Sequence, residues 1–134
     1  MQAVSDIEST SEVYECYRRG TALLERGDFA AAAVPLARAR TLEPDKASIR
    51  EALGRALFHS QRYREAVEEF GALAAASPTD DYAQFCLGRA LQQLGRHREA
   101  CQPLALASSL RPERADYRLY RDRARRDAER NRGR

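Results

Sequence analysis

The chain has 134 residues, long enough for one domain, and its 43% apolar content is enough for a core. No run of about 18 apolar residues occurs, which excludes a membrane-spanning helix. The net charge of +3 is unevenly placed: residues 1–110 carry −2 and residues 111–134 carry +5, so basicity belongs to the tail rather than to the whole molecule.

Taken in order, residues 1–9 are polar and acidic without a period and are expected to be disordered. They lack a basic start and a long apolar run, so no secretory signal is expected and a cytoplasmic location is. A first helix is expected from about Ser11 to Arg26, capped by Ser9, Thr10 or Ser11. Asp28 is suited to cap a second, which runs to about Leu42 before Pro44 stops it. Asp45 is suited to cap a third, which runs to about Ser60, and a fourth is expected from about Tyr63 to Ala76, ended by Ser77 and Pro78. Thr79 or Asp80 caps a fifth, to about Leu94. The sixth spans His97 to Leu110 and ends before Pro112, and a charged last helix covers about 113–130. Pro35 and Pro103 fall inside helices and are expected to bend them locally on an outer face.

A fixed period runs through these elements. GTALLERGDFAAA, GRALFHSQRYREA and GRALQQLGRHREA begin at Gly20, Gly54 and Gly88, 34 residues apart, and Pro44, Pro78 and Pro112 each follow 24 residues after the glycine. Ala32, Ala66 and Ala100 recur in phase, as do Leu36, Phe70 and Leu104. Small residues let helix axes approach, and the large ones fill the space between. Each copy reads as two helices and a short turn. One such hairpin cannot bury its apolar face alone, so stacking must supply the core.

The set Leu53, Gly54, Ala56, Leu57, Tyr63, Ala66, Phe70 and Pro78, with its counterparts in the other two copies, resembles the tetratricopeptide repeat over roughly 12–112. The resemblance implies an all-α, right-handed α-solenoid of three helix-turn-helix hairpins plus a C-terminal capping helix. It implies one domain over 10–130, with repeats near 13–46, 47–80 and 81–114, a cap at 113–130 and a disordered tail at 131–134. Two features depart from the pattern: the aromatic usual four residues before the glycine is Cys16, Arg50 or Gln84, and Arg19 replaces the Leu before Gly20.

In this family the first helix of each hairpin lines a concave groove that binds peptide segments. By position the groove would present Tyr14, Tyr17 and Thr21; then Glu51, Arg55, Phe58 and His59; then Tyr82, Phe85, Arg89 and Gln92. Aromatics and arginine concentrate binding energy in interfaces, and Arg55 and Arg89, one repeat apart, could fork onto a carboxylate or phosphate. The alternative for Tyr17 and Phe85 is that they fill core space beside Cys16 and Gln84. Some members clamp acidic chaperone tails with Lys, Asn, Asn, Lys and Arg. The matching residues here are Tyr17, Thr21, Ala52, Tyr82 and Cys86, none of which agrees. The expected function is thus a protein-interaction adaptor of another kind, a monomer or weak dimer whose partner is another protein or peptide segment.

The tail offers a second reading. Arg118, Arg121, Arg125 and Arg126 could form a basic stripe for RNA or the ribosome, yet Asp122 and Asp127 interleave with them as ordinary helix-surface pairs would. A third reading is self-assembly, with one copy's groove taking another's N-terminus. Lys46 is the only lysine beside 22 arginines, a bias that points to a GC-rich, bacterial genome rather than to chemistry. Cys16, Cys86 and Cys101 are odd in number and show no CxxC spacing, as reduced thiols would, and no metal site is expected. His59 and His97 have no triad partners and no Gly-rich phosphate loop exists, so neither catalysis nor a cofactor is expected.

Overall fold

Seven α-helices and a terminal 3-10 turn account for nearly all of the described residues. The computed structural model describes residues 2–133 and contains no strand among them. The helices are α1 (Gln2–Glu25), α2 (Phe29–Leu42), α3 (Ala47–His59), α4 (Tyr63–Ala76), α5 (Asp81–Gln93), α6 (His97–Leu110) and α7 (Ala115–Arg130). They fall into two compact units, residues 1–62 and 63–134. No helix among the described residues is long and apolar enough to cross a membrane.

The chain ends differ from expectation. Residues 2–9 continue α1 as helix instead of forming a disordered leader, since no Gly or Pro interrupts them. Asn131–Gly133 form a 3-10 turn rather than a disordered tail, while Met1 and Arg134 lie outside the described residues. Of the caps proposed for α2, α3 and α5, only Asp80 accepts a bond, from the Ala83 amide at 3.1 Å. Asp28 holds the cap position of α2 without a side-chain bond, and Lys46, not Asp45, stands at that of α3.

Within the first unit α2 packs against both α1 and α3. Gly20 explains how α1 approaches α2 so closely: a Cβ there would lie 2.4 Å from Leu36 Cγ. The second unit repeats the arrangement, with a Gly88 Cβ position 2.4 Å from Leu104 Cγ. Leu36 and Leu104 are both fully buried, as are Ala32 and Ala100 in the same helices. Ala56, Ala90 and Ala124, also 34 residues apart, are fully buried, whereas Ala22 at the same phase is exposed. The reason is position: α3, α5 and α7 each lie against a preceding helix, and α1 has none.

The polar departures from the repeat pattern have a shared purpose. Arg50 Nε donates to the Pro44 carbonyl at 2.7 Å, Gln84 Nε2 donates to the Pro78 carbonyl at 3.1 Å, and an Arg118 guanidinium nitrogen donates to the Pro112 carbonyl. Each side chain reaches back six residues to the loop that ended the previous hairpin and satisfies a carbonyl that no helix can. Cys16, which has no such loop behind it, is simply buried among Val13, Ala39 and Ile49.

Pro35 and Pro103 do not lie on an outer face. Both are buried, and α2 and α6 run through them unbroken. The ring is apolar, so burying it leaves no donor to satisfy.

The hairpin turns share one geometry. Gly27 and Gly95 adopt φ of 80° and 76°, and Gln61, at the same phase, adopts φ of 65°. In each turn the next residue's amide bonds a carbonyl five residues back: Asp28 to Leu23 at 2.9 Å, Arg62 to Leu57 at 2.8 Å and Arg96 to Leu91 at 2.9 Å. This is the left-handed helix stop that glycine favours. A non-glycine residue there carries strain of roughly 1–2 kcal/mol. Gln61→Gly should therefore raise stability by about 0.5–1 kcal/mol in urea denaturation, the glycine's larger unfolded-state entropy offsetting part of the relief.

Candidate functional site

In the first unit Tyr14 is 60% exposed, and Tyr17 is half-buried against the cluster of Val13, Cys16, Ala39 and Ile49. Tyr17 therefore serves the core and the surface at once. Thr21 spends its hydroxyl on its own helix, donating to the Tyr17 carbonyl at 3.0 Å. On α3, Glu51 and Phe58 are half-buried and Arg55 is exposed. No hydrogen bond or ion pair to Arg55 is found among the described residues. His59 turns toward the hairpin turn: its ring stacks on Phe29 at 4.5 Å and meets the edge of Phe58 at 5.6 Å.

The second unit treats the matching residues differently, because α7 lies against them. Phe85 stacks on Tyr117 with ring centroids 4.5 Å apart and meets Tyr120 at 5.7 Å. The Arg89 guanidinium lies 3.8 Å above the Tyr120 ring and donates to Gln92 Oε1 at 2.9 Å. Burial pulls the Arg89 pKa down, and nearby Arg123 adds to this. Gln92 completes the seam by donating to the Tyr120 carbonyl at 3.0 Å. Tyr82 is half-buried. The sequence does not show that Tyr117 and Tyr120 engage Phe85, Arg89 and Gln92, so that Arg55 and Arg89, alike in register, are unlike in state. Leu119, between the two tyrosines, is 46% exposed.

The basic tail is largely committed to the fold. Besides the Arg118 bond to Pro112, Arg121 donates to Ser108 Oγ at 3.1 Å and pairs with Asp122 at 3.0 Å. Arg125 reaches Asp122 at 4.0 Å, and Arg126 is exposed. His97, beside the last hairpin turn, places Nδ1 3.8 Å from an Asp127 oxygen.

Against this geometry, the family model for the tetratricopeptide repeat matches residues 17–81 and 52–115. The chain belongs to the tetratricopeptide repeat family. Solved structures agree. MamA AMB-1 is 27% identical over 88% of this chain and 64% of its own, with a TM-score of 0.80. MamA from Desulfovibrio magneticus RS-1 is 22% identical, covers 88% and 72%, and has a TM-score of 0.75. The C-terminal tetratricopeptide domain of a Plasmodium falciparum FK506-binding protein is 17% identical over 96% of both chains, with a TM-score of 0.86. This chain thus spans somewhat less than two thirds of the length of MamA AMB-1. No curated protein matches it in sequence. The seven helices are those of a tetratricopeptide solenoid, three hairpins and a capping helix, and this architecture supports a protein-interaction scaffold in general.

Proposed function

We propose that the protein is a cytoplasmic adaptor that holds a segment of a partner protein against the inner helices of its repeats, chiefly through α1 and α3. The observation that carries this reading is the contrast between Arg55 and Arg89. Arg55 on α3 is exposed with its guanidinium uncommitted among the described residues, and Tyr14 on α1 is 60% exposed, while Arg89 lies under α7. A free planar guanidinium can fork onto a peptide carboxylate, and an exposed tyrosine adds apolar contact area. The local bonds of Arg118, Arg121 and Arg125 favour α7 as a cap, and no observation favours RNA as its ligand.

Affinity capture from the source cell tests the proposal. Arg55→Glu should remove most captured protein while leaving helicity by circular dichroism unchanged, since Arg55 supports no described contact. An unchanged set of captured proteins would refute it.

A further inference from the structure

Two repeats apart, the chain builds one arrangement twice and completes it once. In the second unit the Tyr117 ring is fully buried. It stacks on Phe85 at 4.5 Å, lies 4.4 Å below the Arg114 guanidinium, and donates its hydroxyl to Asp81 Oδ2 at 2.8 Å. Shifting by 68 residues gives the counterparts in the first unit: Tyr117 becomes Ile49, Phe85 becomes Tyr17, Arg114 becomes Lys46 and Asp81 becomes Val13. Ile49 is too short to fill the place of a phenol ring. What remains is a slot of about 220 Å³ whose apolar lining is Val13, Tyr14, Tyr17 and Ile49 and whose polar lining is Thr10, Glu43, Lys46 and Ser48. A cavity of roughly 150 Å³ with apolar walls is enough for benzene.

We infer that this slot takes the side chain of a phenylalanine from the bound partner segment, the guest ring occupying the place that Tyr117 fills for itself in the second unit. Tyr17 supplies the stacking partner that Phe85 supplies there. Lys46, the one lysine of the chain, supplies the cation over the ring face as Arg114 does. Val13 stands where Asp81 accepts from Tyr117, so the guest ring needs no hydroxyl at that place. The slot lies among the same α1 and α3 residues proposed above to hold the partner, and its role as an anchor depends on that reading.

The probe is N-acetyl-phenylalanine amide, titrated into the isotope-labelled full-length protein and followed by NMR. Saturable shifts should centre on Val13, Tyr17 and Ile49. N-acetyl-leucine amide, which has no ring to stack on Tyr17, should bind more weakly. Lys46→Gln should weaken the phenylalanine probe about two- to five-fold. Ile49→Tyr should fill the slot from within and abolish the shifts. Should that variant misfold, Tyr17→Ala is expected to remove them as well. The absence of shifts at these residues, or equal binding of the leucine probe, overturns the proposal. So does a parent dimer that Ile49→Tyr converts to monomer, because the occupant is then a second copy. Loss of capture in Arg55→Glu without phenylalanine binding defeats the slot alone. Phenylalanine binding with capture indifferent to Arg55→Glu defeats the adaptor reading alone.

Discussion

Replacing Tyr117 with Ala should lower stability by about 3–5 kcal/mol, the range for removing a fully buried aromatic. Three contacts are lost together. The ring leaves Phe85 without its stacking partner and Arg114 without the face beneath it, and the Asp81 carboxylate loses a donor at 2.8 Å. Tyr117→Phe separates these effects: it keeps the ring and should cost only about 1 kcal/mol, the net worth of one hydrogen bond. The pH dependence offers an independent check. Burial first, then the bond to Asp81, push the Tyr117 phenol above its ordinary pKa. A group raised on folding contributes stability that is intact below the unfolded pKa, about 10 for tyrosine, and is lost as pH climbs above it. Urea denaturation across alkaline pH should show a smaller loss for Tyr117→Phe than for the parent.

Leu36→Ala should cost about 2–5 kcal/mol, because the side chain is fully buried and its neighbours cannot close the space it leaves. Gly20→Ala alone should cost about 1–3 kcal/mol by overpacking, as the new Cβ would stand 2.4 Å from Leu36 Cγ and 2.6 Å from Leu36 Cδ2. The double variant should cost less than the sum by at least about 1 kcal/mol. The added methyl then enters the room left by leucine, and alanine gains helix propensity over glycine. Additive costs would mean that α1 and α2 do not meet through this pair.

Much of this fold is visible in the sequence because the repeat states each packing relation more than once. Gly20 with Leu36 and Gly88 with Leu104 stand sixteen residues apart in both copies, and the spacing alone predicts a close crossing between the helices of a hairpin. Gln61 is harder to read, since a left-handed turn is visible only where glycine marks it, as at Gly27 and Gly95. The N-terminal helix is missed because residues 2–9 are polar and lack the apolar period by which a packed helix is recognised.

The candidate site is less legible, for a physical reason. Register identifies which residues share a phase, and Arg55 and Arg89 do. Register does not report what lies against them: α7 places Tyr120 under Arg89, whereas Arg55 is exposed. The polar residues at 50, 84 and 118 look like lost core positions until the loop carbonyls they satisfy are seen. The signal that could have shown the slot was present: Ile49 stands where Tyr117 stands two repeats later, and a comparison of phases already predicts a missing ring.

Arginine labelling with a dicarbonyl reagent, mapped by mass spectrometry on the folded protein, separates an exposed Arg55 from an Arg89 covered by α7. Arg55 should react early. Arg89, held over Tyr120 and bonded to Gln92, should react only as α7 opens, and should become as reactive as Arg55 in Tyr117→Ala. Equal labelling of Arg55 and Arg89 in the parent would contradict the contrast between these two residues on which the adaptor reading stands.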